Sequence, residues 1–354
     1  MSKKFNRVVL LGTLVLLILI ASITIVIDPY FHYHTPLEFL KYPLNMDTER
    51  YQNNGIIRNF SYDAMITGTS MTENFKTSEM DELFGVRSIK VPCSGSSYKE
   101  IDSMVSTALQ THPDIKMIVR CLDYSLLIQD KDYSYENEER YPAYMVDNNI
   151  FNDVSYVLNK SIICTADVNV LLNTISGGDS VNFDAYGNWS KTSGFGKQAV
   201  FSTFQRPSEA HEEQALTEEE KEMVLGNVEQ NVIANIKAHP NTQFYLYVPQ
   251  YSVCYWDQLI RNGQFDAMLE AESLQVNELL KYDNVHLFLF SNDFEITTNL
   301  DNYRDEVHYG EWVNSRVLQC MKNGEFEITK ENYAAYQKEV RDFYSNYDYD
   351  VIYE

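Results

Sequence analysis

The sequence predicts an α/β protein with a parallel sheet of about five strands, covered by helices on both faces and preceded by one membrane-spanning helix. Short apolar runs alternate with helical stretches over residues 62–122 and again over 242–322. Such alternation is typical of βαβ units. An uncharged apolar run also occupies residues 8–27, and hydrophobic residues make up 44% of the chain, enough for a sizeable core.

The N-terminal segment, residues 1–27, is predicted to be a cytoplasmic stub followed by a membrane anchor. Its apolar run matches the roughly 20 residues that a helix needs to cross a bilayer. Asp28 follows the run and three basic residues precede it: Lys3, Lys4 and Arg7. The positive-inside rule therefore places the N-terminus in the cytoplasm and the main domain outside the cell membrane. A cleaved signal peptide is the alternative, but the run is longer than the usual ~7–15 residues and no A-x-A-like site follows.

The rest of the chain is strongly acidic. The sequence has 51 acidic and 28 basic side chains and a net charge of −23. Residues 1–27 contain three of the basic side chains and no acid, so the remainder carries a net charge of −26. This balance excludes a nucleic-acid partner, because phosphate backbones are bound by basic surfaces.

The elements of the sheet follow in order after the anchor. The predicted strands are short apolar runs: 62–67, 87–91, 115–122, 242–249 and 285–290. The predicted helices are 76–84, 97–111, 217–238, 256–282 and 311–322.

Three segments lie outside this alternation. Residues 28–60 contain three prolines without clean periodicity, and we interpret them as a juxtamembrane connector. Residues 124–240 interrupt the α/β domain, which spans 61–325. Insertions at the carboxyl ends of strands in such sheets tend to form lids over ligands. Residues 326–354 are predicted as a helical tail.

A serine follows the first predicted strand in the motif Gly68-Thr69-Ser70. It lies at the carboxyl edge of the sheet, where the backbone N–H groups of a turn entering a helix favour a developing negative charge. A helix N-cap is the commoner role of such a serine. The motif alone therefore leaves both roles open.

A second motif, Asp305-Glu306-Val307-His308, follows the last predicted strand. An aspartate three residues before a histidine can accept a hydrogen bond from Nδ1, which leaves Nε2 free to remove a serine proton. His308 alone could be a surface histidine. Together with Ser70, the motif predicts a Ser-His-Asp catalytic triad.

With these motifs, the sequence resembles the SGNH, or GDSL-like, hydrolase superfamily over roughly residues 60–325. Residues 62–70 are similar to its first block, with GTS in place of GDS, and residues 305–308 are similar to its final DxxH block. Gly95 matches the block that supplies an oxyanion-hole N–H. The resemblance implies a three-layer, flavodoxin-like fold, an oxyanion hole formed by the backbone N–H groups of Ser70 and Gly95, and no metal or organic cofactor.

The anchor, the GTS variant and the residues His308, Tyr309, Trp312 and Asn314 resemble the membrane-anchored branch more closely. That branch includes the D-alanine transfer protein of teichoic acid modification and the alginate O-acetylation proteins. The resemblance implies a serine acyltransferase or esterase that acts on O-acyl groups of a cell-envelope glycan or polymer. A membrane-bound acyl-donor protein could be a further partner. The net charge of −26 favours a neutral glycan as acceptor.

The sequence departs from the superfamily in its third block. That block normally supplies an asparagine to the oxyanion hole, whereas the third strand here leads into Asp123. Loss of one oxyanion donor can cost roughly 10²- to 10³-fold in turnover. Arg120, Asp123 and Trp312 are weaker candidates for substrate binding, with a structural role as the alternative for the first two. The departure also leaves open an alternative function: a non-catalytic protein of the same fold that binds an envelope glycan and helps to assemble a modification complex.

Overall fold

A computed structural model describes residues 3–134, 142–147 and 149–353 of the protein and contains one six-stranded sheet. The strands are β1 (Ala64–Gly68), β2 (Ser88–Pro92), β3 (Met117–Cys121), β4 (Gln243–Val248), β5 (Val285–Leu289) and β6 (Glu327–Ile328). The described helices are α1 (Lys3–Ile27), α2 (Glu49–Asn59), α3 (Thr77–Phe84), α4 (Tyr98–Thr111), α5 (Ala143–Val146), α6 (Val154–Val157), α7 (Val168–Ile175), α8 (Lys197–Thr203), α9 (Glu218–Val228), α10 (Ala234–Ala238), α11 (Val253–Arg261), α12 (Phe265–Leu279), α13 (Phe294–Thr297), α14 (Glu311–Asn323) and α15 (Tyr333–Asn346).

The sheet is mostly parallel and has the order β2-β1-β3-β4-β5-β6. Strands β1 to β5 run parallel, while β6 pairs antiparallel with β5 and lies in the predicted tail. From β1 the chain adds β2 on one side, and the later strands are added on the other side, so the strand order reverses between β1 and β3. Open α/β sheets bind ligands at such a position, beyond the carboxyl ends of their strands. This edge is therefore the expected place for a functional site.

Helical segments cover both faces of the sheet. Lys90 pairs in register with Ile66 and Arg120 with Thr67, and adjacent residues of a strand point to opposite faces. On one face, the Lys90 ammonium donates to the carbonyl of Phe75, just before α3, at 2.7 Å. On the other face, the Arg120 guanidinium donates to a carbonyl in the first turn of α4 at 3.3 Å. The α/β class and the helices on both faces agree with the sequence prediction.

Two compact units make up the chain. One comprises residues 1–61 and 136–186, and the other comprises residues 62–135 and 187–354. The sheet and every predicted site residue lie in the second unit. Part of the predicted insertion, residues 136–186, therefore groups with the N-terminal segment, although residues 135–141 and 148 lie outside the described part of the chain.

The first unit contains the N-terminal helix α1. It is long and apolar enough to cross a membrane, and among the described residues no other helix meets this condition. Only 11% of its most apolar 18-residue stretch is buried. Residues 28–60, predicted as a connector, include the buried helix α2.

The predicted helix over residues 256–282 is wrong, because two helices, α11 and α12, occupy this region. Gly263 separates them with a φ of +65°, and a Cβ at this position would lie 2.1 Å from the carbonyl oxygen of Glu212. Only glycine fits this close approach in a left-handed conformation. The sequence pattern conceals the break because its apolar spacing continues across the glycine.

Candidate active site

Ser70 lies in a tight turn at the carboxyl end of β1. It begins a 3₁₀ turn, Ser70–Thr72, that Thr69 caps by accepting a hydrogen bond from the Met71 amide. Gly68 makes the turn possible, because a Cβ there would lie 2.7 Å from both the Cβ of Cys121 and the Cγ2 of Thr72. The turn exposes part of the serine side chain at the edge of the sheet.

Asp305 and His308 lie in the loop between α13 and α14, in the connection that follows β5. Both carboxylate oxygens of Asp305 lie close to the His308 Nδ1, at 3.0 and 2.9 Å. Asp305 also accepts hydrogen bonds from the backbone amides of Val307 at 3.0 Å and His308 at 2.7 Å. These contacts fix both the imidazole orientation and its tautomer, with the proton on Nδ1.

The structure brings the three predicted triad residues together. The Ser70 Oγ lies 2.7 Å from the His308 Nε2, although 238 positions separate the two residues in the chain. With Nδ1 protonated towards Asp305, Nε2 is the acceptor and the serine hydroxyl is the donor. This arrangement can remove the serine proton as its oxygen attacks an electrophile.

The electrostatics of the pair suit this chemistry. Burial alone would lower the pKa of His308, but the hydrogen bond and charge of Asp305 outweigh burial and raise the pKa above its ordinary value of 6.5. Burial would likewise raise the pKa of Asp305, but its bonds to His308 hold that pKa below 3.8. Asp305 is therefore a carboxylate that stabilises the imidazolium form of His308.

Two buried asparagines join the serine turn to the histidine loop. The Asn74 side chain donates to the carbonyl of Tyr309 at 3.1 Å, and the Asn314 side chain donates to the carbonyl of Met71 at 3.0 Å. Each bond ties one loop to the other across the sheet edge. The approach of Ser70 to His308 thus has direct support from both sides.

Glu73 and Trp189 adjoin the triad, and sequence reasoning did not assign either to the site. The Trp189 ring stands edge-on to the His308 ring, with 5.9 Å between centroids, and its Nε1 donates to the Glu73 carboxylate at 2.7 Å. The charge of Glu73 adds to the rise in the pKa of His308. The spacing of three residues between Ser70 and Glu73 was the signal available, since one helical turn brings such positions together.

The predicted oxyanion donors also lie at this edge of the sheet. Gly95 occupies the exposed turn after β2, and the Cys93 amide in the same turn donates to the carbonyl of Gly68 at 2.8 Å. Within the described residues, neither the Ser70 amide nor the Gly95 amide donates a hydrogen bond to the protein. Both N–H groups are therefore free to donate to a ligand.

Asp123 lies in the same region, where its carboxylate accepts a short hydrogen bond from the Thr69 hydroxyl. Burial raises the pKa of Asp123 to about 6, while the bond from Thr69 opposes the rise. The carboxylate thus holds the residue that precedes Ser70. This contact corresponds to the structural alternative, in which Asp123 stabilises the turn.

The other two substrate-binding candidates have different surroundings. Arg120 is 2% exposed, lies against α4 and pairs with Asp102 at 3.6 Å, so its contacts are structural. Trp312 is 45% exposed and donates to the Asn302 side chain at 2.9 Å. Its ring packs edge-on against Phe195 at 4.8 Å. Trp312 can therefore still meet a ligand.

A cavity of about 400 Å³ adjoins the triad on the side of Asp305. Small and hydroxyl-bearing residues form most of its wall: Thr192, Ser193, Gly194, Ala199, Ser202, Thr203, Arg304 and Asp305. Arg304 lies over the Trp189 ring at 4.8 Å. Within the described part of the chain, no cluster of three or more His, Cys, Asp and Glu side chains is arranged to hold a metal ion. Hydroxyl groups and one cation suit a polar, sugar-sized ligand.

No protein-family model matches this chain, and no match to a curated protein was found.

Proposed function

We propose that the protein is a membrane-anchored serine acyltransferase or esterase that acts on O-acyl groups of a cell-envelope glycan or polymer. The observation that carries the proposal is the 2.7 Å approach of the Ser70 Oγ to the His308 Nε2, with Asp305 on the opposite ring nitrogen. A serine used only as a helix cap has no need of a histidine oriented in this way.

In the first step, the Ser70 Oγ attacks the acyl carbonyl while His308 takes the serine proton at Nε2. Asp305 stabilises the imidazolium that forms. The N–H groups of Ser70 and Gly95 would donate to the oxyanion of the tetrahedral intermediate. Collapse of that intermediate breaks the ester bond, and His308 returns the proton to the departing alcohol. An acyl-serine remains.

In the second step, a hydroxyl group attacks the acyl-serine while His308 takes its proton at Nε2. Collapse of the second tetrahedral intermediate breaks the bond between the acyl carbon and the Ser70 Oγ, and His308 returns the proton to that oxygen. Water as the attacking group gives an esterase, and a glycan hydroxyl gives an acyltransferase. The cavity beside Asp305 supports a polar acceptor. If α1 crosses the cell membrane with its basic end in the cytoplasm, the domain meets envelope polymers directly, and a membrane-bound protein could supply the acyl group.

The same proposal assigns the fold to the SGNH type. The order of the first five strands, 2-1-3-4-5, is the flavodoxin-like order of doubly wound sheets. The serine follows β1 and the Asp305–His308 loop follows β5, which matches the placement of the first and last blocks of that superfamily.

A non-catalytic, glycan-binding role is the second candidate, and Asp123 favours it. A carboxylate that accepts a hydrogen bond from Thr69 takes the place of an amide that would donate to the oxyanion. The two remaining N–H groups would then have to support turnover alone.

Hydrolysis of p-nitrophenyl acetate by the detergent-solubilised full chain separates the two candidates. We expect Ser70→Ala and His308→Ala to lower kcat by roughly three orders of magnitude, since triad members act as a unit. Ser345→Ala, an exposed serine of the C-terminal helix α15, is the matched control and should keep the rate. Equal rates in Ser70→Ala and the unaltered protein would contradict catalysis by Ser70.

A further inference from the structure

Helix α7 carries an exposed apolar stripe. The stripe consists of Val168, Leu171, Leu172 and Ile175, which are 39%, 41%, 58% and 83% exposed. Their spacing of i, i+3, i+4 and i+7 places them on one face of the helix. A contiguous exposed face of large aliphatic side chains is unusual on a water-soluble surface and marks an interaction site.

The opposite face of the same helical segment is packed within its unit. Val170 is 2% exposed, and in the preceding turns of π-helix Ile162 and Ala166 are 2% and 8% exposed. The last two belong to a cluster with Met145 and Tyr156. The helix therefore presents a second apolar face that its own unit leaves uncovered.

The contact with α1 sets the position of this segment along the anchor. The Thr24 Oγ1 of α1 donates to the buried carboxylate of Asp167 at 2.7 Å. Thr24 is three residues before the end of α1 at Ile27, or about 4–5 Å along the axis at 1.5 Å per residue. If residues 8–27 fill the ~30 Å hydrocarbon core, Asp167 and the start of α7 lie at the outer boundary of that core.

The helical segment that contains α7 itself carries little negative charge, while Asp179 follows it and Asp47 lines a groove together with Leu172 and Ile175. Between residues 159 and 178 the sequence has one acid, the buried Asp167. Two exposed lysines flank the segment. Lys160 precedes it, and Lys41 binds its last turn through its backbone, donating to the Thr174 hydroxyl at 2.8 Å. A basic flank beside an apolar face is typical of helices that lie in a membrane interface.

We propose that α7 lies in the surface of the bilayer that α1 crosses, with Val168, Leu171, Leu172 and Ile175 inserted among the lipid chains. The occupant of the stripe is lipid, because the bond between Thr24 and Asp167 holds the helix at membrane depth. The first unit then has two attachments to the membrane instead of one. This inference does not rest on the proposed enzymatic function.

Fluorescence of the full chain in liposomes tests the proposal. Four of the five cysteines are buried and Cys164 is exposed, so Cys164→Ser provides a background for single thiol labels. In that background, Leu171→Cys and Asn169→Cys place a nitrobenzoxadiazole label on two exposed positions about 200° apart on one helix. Liposomes of phosphatidylcholine and phosphatidylglycerol carry a nitroxide at a shallow acyl position. A thermal melt of each labelled variant confirms that it is folded.

We expect the label at 171 to be quenched by the nitroxide lipid at least threefold more than the label at 169. Equal, weak quenching at both positions would mean that the stripe faces water and would overturn the proposal. A blue-shifted label at 171 that the nitroxide lipid does not quench would mean that protein covers the stripe, with the same consequence. Equal, strong quenching at both positions would mean that the whole helix is immersed in the lipid, and this would also contradict insertion by one face.

Discussion

Asp123 acts on two members of the triad, Ser70 and His308. The residue is 3% exposed, holds the Thr69 hydroxyl and lies near enough to His308 for its charge to raise the pKa of the imidazole. It thus braces the turn of Ser70 and also adds negative charge beside the base. An asparagine could retain the first effect and would remove the second.

We predict that Asp123→Asn moves the acidic limb of the pH profile of kcat/KM to lower pH. Catalysis requires neutral His308, so activity falls as pH drops through its raised pKa. Removing the Asp123 charge takes away one of the causes that raise that pKa, so the pKa and the acidic limb should both move down. Ester hydrolysis measured between pH 5 and 8 checks this.

Asp63→Asn is the matched control, because Asp63 precedes β1 at the opposite, amino edge of the sheet and pairs with Lys116. Its pH profile should coincide with that of the unaltered protein. A profile of Asp123→Asn that also coincides would show that Asp123 has no influence on the base.

At the scale of single elements, the strands and the two motif loops were predictable. Apolar runs bounded by turn residues placed β1, β2 and β3 within about two residues of their observed limits. The loops after β1 and β5 carry Ser70 and His308, and parallel strands bring their carboxyl ends to one edge. The meeting of the two residues therefore followed from local pattern combined with topology.

Contacts between distant segments were not predictable from local pattern. Trp189 reaches Glu73 and His308 from a polar stretch whose composition indicates only a loop. Phe31 follows the anchor, where an interfacial aromatic would be expected, yet it is fully buried within its own unit. These positions depend on which long connections pack together, and a single sequence contains no direct signal for that choice.

The C-terminal helix α15 meets α12 at a buried carboxylate. Glu272 of α12 accepts hydrogen bonds from Tyr333 and Tyr336 at 3.5 Å and a shorter one from Tyr124. Burial raises the pKa of Glu272 to about 7, although the tyrosine hydroxyls oppose the rise. The packing of the tail thus includes an acid that is costly to ionise.

We predict that Glu272→Gln flattens the dependence of stability on pH. The folded pKa of about 7 lies above the ordinary value of 4.5, so the contribution of protonated Glu272 is present below pH 4.5 and is lost as pH rises through 7. The difference corresponds to about 3 kcal/mol. Relative to the unaltered protein, the Gln variant should therefore gain stability between pH 5 and pH 8.

Urea unfolding at these two pH values measures the gain. Glu339→Gln is the matched control, because Glu339 lies on the exposed side of α15 and binds Asn292 at 3.0 Å, and it should change the free energy of unfolding equally at both pH values. The prediction is contradicted if the difference between Glu272→Gln and the unaltered protein is the same at pH 5 and pH 8.

At the scale of the whole molecule, the charge distribution bears on the proposed substrate. Residues 28–354 carry all 51 acidic side chains and 25 of the 28 basic ones. A net charge of −26 repels a polyanionic acceptor over distances up to the Debye length, about 8 Å at physiological salt. The cavity beside Asp305 adds hydroxyl groups, and its arginine, Arg304, lies 3.7 Å from the Asp305 carboxylate, which offsets its charge. Both features favour a neutral glycan as acceptor.

Membrane anchoring offers a way to bring the protein to its proposed substrate that does not depend on electrostatic attraction. In the proposed function, a protein that α1 and α7 hold at the membrane would meet envelope polymers at high local concentration without attracting them by charge. The site then needs selectivity for an acyl ester and a hydroxyl more than it needs high affinity for the polymer backbone.

Labelling of the full chain with a fluorophosphonate, with the adduct located by peptide mass spectrometry, tests the Ser-His-Asp triad most directly. The reagent phosphonylates only a serine that a neighbouring base activates. We predict one adduct on Ser70, none in Ser70→Ala or in denatured protein, and labelling slowed at least a hundredfold in His308→Ala. Absence of a Ser70 adduct in the folded chain, or an unchanged labelling rate in His308→Ala, would contradict the triad.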